Sequence, residues 1–596
     1  MEFQKGGIEM MTPEWIKSLI IYEVSTKAFT SPNGPGSGNF DSLRSKLPYL
    51  QDLGVTGIWL TGHSLSDPTH FYNIWTQYAC IHPGEIDPTL GTDGLFKELI
   101  EAAHEVEIKV FLDVITHGVI NSSPLIREKP HWFKGGSWGM TDYDWHGGHS
   151  DLDDWWINLW VAYVERFGID GFRLDVAIHR PDLWKRIRER AVEVGHPVVI
   201  FPEIGPGFSG VTDFIQWGDR LSDNHGVISD NEMFSDVFSN TKHAIRSETN
   251  KAFRVLIEYA DGTSASNYDD RPYRIQVEYR GIRESMTNEY QSGNYQRHDI
   301  ILGITDAPKK TIENIIIEHS ENPRIHGGPG GSISWQLKRD IEADFHVTIE
   351  YVESSMRLAF PMRCPPGQWL STQLSCHDNG WEGYDLDSNP YVAQGSRFMF
   401  GYSLILSPSI PLFMSGEEFD ADFLPLPDLS PKLYDGVNPG KGKWLYGSWI
   451  QWDQLTDIRK SEMLDDVKRL IRIRRDNQDL IYPLRVGDMI DHIAPISYDA
   501  STNLPRPYLY WNNDKCLLIA GNPHVDQDVE VRFNIAFENF GFDSSEKVTM
   551  MNLWTEGKKE VMDLHDVNRK QFTIRKDKIH RGGLLILVIE KFIDSR

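Results

Sequence analysis

Between about residue 15 and residue 205, short apolar runs alternate with amphipathic stretches. The apolar runs are IIYEVSTKAF, VTGIWLTG, IKVFLDVITHG, GFRLD and PVVIFPEIG. Between them FDSLRSKLPYLQDLG places Leu43, Leu47 and Leu50 at helical spacing, and GLFKELIEAAHEV lines up Leu95, Phe96, Leu99, Ile100 and Ala103. WWINLWVAYVERFG and DLWKRIRERAVEV carry the same helical period. Near-continuous apolar strands separated by helices predict a parallel sheet covered by helices. With this many β–α units in one chain, the expected architecture is a closed (β/α)8 barrel of the α/β class rather than an open sheet. No glycine-rich phosphate loop follows the first strand, which argues against a dinucleotide fold.

Two segments interrupt this rhythm. Residues 118–163 are rich in aromatics and turn formers (HWFKGGSWGMTDYDWHGGHSDLDDWW) and predict a loop-rich domain inserted after the third strand. Residues 251–352 change to strict alternation: YRIQVEY sets Tyr273, Ile275, Val277 and Tyr279 on one face, and FHVTIEY repeats the pattern. That predicts an inserted β-domain, placed where a sugar-binding module, a lid or a spacer would sit. The barrel is expected over 1–117, 164–250 and 353–481, where WLSTQLSCHDNGW and IPLFMSGEE supply further strands. From 482 to 596 the runs CLLIAGNP, VEVRFNI, KVTMMNLW, QFTIRK and GGLLILVIE predict a C-terminal β-sandwich domain.

The 596 residues are too many for one core and imply several domains. Against 60 Lys and Arg stand 86 Asp and Glu, a formal charge of −26. Such a surface disfavours nucleic acid and anionic membranes as partners and suits a neutral or cationic ligand. The four cysteines are scattered without metal-ligand spacing, and no apolar run reaches membrane-spanning length. A soluble, cytoplasmic chain is the expectation. Its 19 tryptophans and 22 tyrosines offer flat faces suited to stacking on sugars.

In a (β/α)8 barrel the C-terminal ends of the strands converge on one face. Here those ends carry acids: Asp113 after IKVFL, Asp175 after GFRL, Glu203 after VVIFP, and Asp378 after QLSCH. Arg173 and Asp175 are two apart, so they leave the strand on the same side, and the cation can keep the carboxylate ionised. Several carboxyls in one cleft repel, which separates an acid from a base. One nucleophile and one general acid are what glycosidic cleavage requires.

With these motifs the chain resembles the α-amylase family of retaining glycosidases and transglycosylases, over most of its length outside the inserted β-domain. The resemblance implies Asp175 as nucleophile with Arg173 supporting it, and Glu203 as general acid/base. It also implies Asp378 as the acid that grips sugar hydroxyls, His377 bonding the same sugar, and Asp113 in the substrate site. GVTGIWLTG and IPLFMSGEEF resemble the family's second and eighth strands, and SDLDD resembles the short motif of its second domain. The stacking tyrosine falls on Tyr72, with Tyr78 as the alternative. The family's first motif ends in Asn-His, whereas this chain has His117-Gly118. The Asn is commonly a calcium ligand. Asp151 and His179 sit at positions resembling others of that site, so no cofactor is required and calcium is a partial match. His117 is the candidate to substitute in sugar binding from one residue away, although in a strand a shift of one reverses the face. The implied activity is hydrolysis of α-glucosidic linkages in α-glucans or maltooligosaccharides. Glycosyl transfer or isomerisation at the same intermediate is the alternative, and a non-catalytic sugar-binding protein is a third reading.

Overall fold

The computed structural model describes residues 12–216 and 367–592, apart from breaks chiefly at 68–77, 204–206, 374–376, 378–396, 426–447 and 486–491, together with six strands between 253 and 327. By contact the chain divides into two compact units. One comprises Met1–Asn224, Cys364–Ile490 and Lys578–Arg581; the other comprises His225–Arg363, Asp491–Asp577 and Gly582–Arg596. Among the described residues no helix is long and apolar enough to cross a membrane.

The first unit is built on eight parallel strands: β1 (Ile21–Ser25), β2 (Gly57–Thr61), β3 (Lys109–Val114), β4 (Gly171–Leu174), β5 (Val199–Pro202), β6 (Phe214–Gln216), β7 (Trp369–Gln373) and β8 (Ile410–Met414). Their spatial order is β6-β7-β8-β1-β2-β3-β4-β5, which is sequence order read around a circle. Asp213, just before β6, links the two ends. Its N–H donates to the Ile200 carbonyl at 2.8 Å, and its carboxylate accepts from the Ile200 N–H at 2.8 Å. The same carboxylate is paired with Arg188, and neither side chain of that pair is exposed to solvent. The barrel expected from the alternating pattern is therefore present.

Its interior is filled by Ile21, Trp59, Phe111, Val199, Phe201, Phe214, Trp369, Ile410 and Leu412. Room for these rings comes from glycine. A Cβ on Gly171 would stand 2.0 Å from the Val199 carbonyl oxygen and 2.9 Å from the Phe111 ring. Outside the barrel, the stretch read as one amphipathic segment forms two helices, Phe40–Arg44 and Leu47–Leu53. Pro48, in the first turn of the second, lacks the N–H and steric room to continue a helix from before it. Leu43, Leu47 and Leu50 are all buried, as their spacing required.

The loop-rich stretch expected over 118–163 divides at residue 150. Gly118–Ile120 pairs antiparallel with Met140–Asp142, and from Ser150 to Phe167 the chain is helical. SDLDD is thus the first turn of a helix, where Asp151 and Asp153 complement the exposed N–H groups.

In the second unit, Phe253–Tyr259 pairs antiparallel with Ser264–Ser266 and Ile312–His319, and Gln276–Ser285 pairs with Asn294–Gly303. The strand expected at 345–351 lies outside the described residues. The C-terminal part has a six-stranded and a three-stranded sheet. Leu509, Leu518, Leu585 and Leu587 of the larger share one core with Val529, Val531, Phe533 and Ile574 of the smaller. Its strands start at Ile493, later than residue 482. Leu484 instead exchanges backbone hydrogen bonds with Leu370 and Pro408 of the barrel unit.

Candidate active site

The barrel register sets three acids in a row. Asp113 is opposite Arg173 across β3 and β4, and Leu174 is opposite Pro202 across β4 and β5. Beyond the strands, the Asp175 N–H donates to the Val114 carbonyl at 2.9 Å and the Glu203 N–H to the Leu174 carbonyl at 3.0 Å. Asp175 and Glu203 are therefore each fixed by the end of the preceding strand.

Arg173 lies at the centre and is 2% exposed. Its Nη1 is 2.8 Å from Asp113 Oδ1 and 2.6 Å from Asp175 Oδ1, and its Nη2 is 2.9 Å from Glu203 Oε2. The guanidinium also stacks over the Trp59 ring at 4.9 Å. Burial alone would lower the Arg173 pKa, but Asp113, Glu203 and Asp175 carry it well above its ordinary value. Burial pushes the Asp175 carboxyl well up; Arg173 opposes this, and repulsion from Glu203 and Asp113 adds to it. Burial likewise raises Asp113, against Arg173, His377 and a Tyr78 hydrogen bond. One cation faces three carboxyls, so their mutual repulsion works against full ionisation of the cluster.

Val176 follows Asp175 with φ at +61°, a left-handed conformation that costs a β-branched residue about 1–3 kcal/mol. The turn aims its N–H at Glu203 Oε2, 2.7 Å away. Thr116 Oγ1 donates to the Asp175 carbonyl at 3.0 Å, and the Trp145 indole N–H donates to the Thr116 carbonyl at 2.9 Å. The aromatic excursion after β3 thereby buttresses the acid row.

Of the two outcomes left open for His117, the structure sets its ring beside Asp175. β3 ends at Val114, so strand alternation no longer governs residue 117. Its Nε2 stands 3.7 Å from Asp175 Oδ2 and its Nδ1 3.5 Å from Asp142 Oδ1. Burial lowers its pKa, against the attraction of Asp142 and Glu203.

His377 joins the group through other residues. Its ring stacks on Tyr78 with centroids 5.0 Å apart at 22°, and meets Trp59 edge-on at 5.8 Å. Both neighbours donate to Asp113 Oδ2, Tyr78 through its hydroxyl at 2.6 Å and Trp59 through its indole at 3.0 Å. Tyr78, the alternative tyrosine, is therefore part of this cluster. Tyr72 and Asp378 lie outside the described residues. Trp59 and Glu23, a buried acid on β1 beside His377, were not singled out from sequence. The available signal was a charge and an indole inside otherwise apolar strands.

Asp151 is held by His131 at 3.0 Å and the Trp132 indole at 2.8 Å, whereas His179 is influenced by His117, Asp142 and His146. Among the described residues neither belongs to a group of three ligand side chains close enough to hold a metal.

Residues 23–124 match the model of the alpha amylase catalytic domain. Alpha-amylase 3 of Dictyoglomus thermophilum is 28% identical over 200 residues, 28% of this chain and 38% of that one. A trehalose synthase of a Pimelobacter species is 30% identical over 161 residues, 26% of this chain and 25% of its own length. The match thus spans less than two fifths of either relative. The crystal structure of a noncanonic maltogenic alpha-amylase from Thermotoga neapolitana superposes with a TM-score of 0.54 at 15% identity, covering 97% of this chain and 99% of that one. This agreement extends to the fold. Over residues 23–124 the chain is thus similar to the alpha amylase catalytic domain, and its eight parallel strands in cyclic order share the fold of that solved structure.

Proposed function

We propose that this chain is a retaining glycosidase acting on α-glucosidic linkages of maltooligosaccharides or α-glucans. The observation that carries the reading is the single Arg173 guanidinium held between Asp175 and Glu203, with Asp113 on its third side. Glu203, as general acid, protonates the glycosidic oxygen as Asp175 attacks the anomeric carbon and the leaving sugar departs. Glu203 then deprotonates water, which attacks the glycosyl-enzyme ester and frees Asp175. Retention requires the two carboxyls to be about 5–5.5 Å apart. Asp378 and His377 hold hydroxyls of the reacting sugar in this reading, and the resident ligand is an oligosaccharide.

Transfer or isomerisation uses the same intermediate, with a sugar hydroxyl replacing water. A drier, aromatic-walled acceptor site favours that branch, and the tryptophan-rich stretch from Trp132 to Trp156 permits one. The test is a chromatographic time course on maltoheptaose, starch, pullulan, dextran and trehalose, with Asp175→Asn and Glu203→Gln as blanks. Shorter products with rising reducing ends support hydrolysis. Rearranged or longer products at constant reducing ends support transfer. Substantial turnover in both amide variants overturns the assignment.

A further inference from the structure

Glu23 sits within β1, opposite Trp59 on β2 and Met414 on β8. It is completely buried. An apolar residue there would pack without the cost of taking a carboxylate out of water, so barrel stability gives no reason for an acid. Its Oε1 lies 2.5 Å from His377 Nδ1, while among the described residues Oε2 has no hydrogen-bond partner. The charged groups facing it are His377 beyond β7, Arg173 on β4 and Asp113 on β3; Trp59 and Met414 bring no charge. Burial raises the Glu23 carboxyl, against the attraction of His377 and Arg173.

We infer that Glu23 is a positioning residue that holds His377 by Nδ1 and keeps the imidazole charged, so that Nε2–H is the donor offered to a sugar hydroxyl. Tyr78 and Trp59 fix the plane of the ring, and Glu23 fixes its rotation within that plane. A carboxylate on Nδ1 favours the imidazolium, in which both nitrogens donate. With a neutral partner, Nδ1 keeps its proton and Nε2 becomes an acceptor, reversing the polarity of the sugar contact. This inference rests on the glycosidase reading of the site.

The test compares wild type, Glu23→Gln, His377→Asn and the double variant on maltoheptaose across pH. Glutamine keeps an acceptor for Nδ1 but removes the charge, separating shape from protonation. The Glu23→Gln variant is expected to lose roughly 10- to 100-fold in kcat/KM, the loss of one charged hydrogen bond, with its basic limb moved to lower pH. The double variant should be no worse than His377→Asn, because Glu23 acts through that ring. Independently of turnover, the His377 imidazole resonance, identified by its absence in His377→Asn, should titrate lower in Glu23→Gln by about one pH unit or more. Should Glu23→Gln not fold, Glu23→Asp, which keeps the charge but shortens its reach, should give the same fall in kcat/KM. An unchanged titration with kcat/KM within about twofold of wild type overturns the inference. Absence of wild-type turnover on every glucan would instead remove the glycosidase reading, and the resonance would still judge the pair.

Discussion

Replacing Arg173 by methionine tests the electrostatic account of the site. The stem of methionine can still cover Trp59, but Asp113, Asp175 and Glu203 lose their common cation at a position with 2% exposure. Removing one partner of a buried ion pair costs about 3–5 kcal/mol because the remaining charge is left uncompensated. The carboxyls can escape that cost by taking up protons. Asp113 and Asp175 are already raised in the folded protein, and without Arg173 they rise further above the unfolded value. A carboxyl raised on folding contributes stability below its unfolded pKa of about 4, and that contribution is lost as pH rises through the folded pKa. The variant should therefore approach wild type near about pH 4.5 and fall furthest behind near about pH 8. Urea unfolding at both values, with equal m-values, measures the difference. The penalty should persist in about 0.5 M salt, since a buried pair is poorly screened. Equal penalties at both pH values, or one below about 1 kcal/mol near pH 8, would refute the shared-cation account.

The remaining predictions concern the parts that hold the site. Tyr78→Phe removes a hydrogen bond to buried Asp113 and should cost about 1 kcal/mol in thermal unfolding while shifting the activity–pH profile. Asp213→Ala leaves Arg188 buried without its carboxylate at the β5–β6 closure; a loss of about 3–5 kcal/mol is expected by urea unfolding. Gly171→Ala drives a methyl into the Val199 carbonyl, so soluble yield and melting temperature should fall, by about 1–3 kcal/mol or more of stability. Glu418 accepts from Tyr22, Tyr49 and the Gly416 N–H, and burial pushes its carboxyl up to about 7. Its contribution to stability is present below the ordinary carboxylate range and is lost as pH rises through about 7, a change of about 3 kcal/mol. Glu418→Gln should flatten the stability–pH curve between those limits.

The sequence determined what depends on neighbours a few residues apart. Apolar runs alternating with helices specified the parallel barrel, and the i, i+2 relation placed Arg173 beside Asp175, now 2.6 Å apart through Nη1 and Oδ1. Strand ends marked Asp113 and Glu203 as acids on the same rim. Tertiary context decided two local readings: His117 escapes strand alternation because β3 stops at Val114, and the helix read through Pro48 is divided in two. Only the folded barrel decided who shares a partner. Glu23 and His377 are 354 positions apart, yet ring closure brings β1 and the end of β7 to one point. Tyr78 enters through the excursion after β2, with no periodic signal of its own. Periodicity is a property of one segment, whereas a buried carboxyl's charge depends on every group that closure sets against it, which is why the acids were legible and their electrostatics were not.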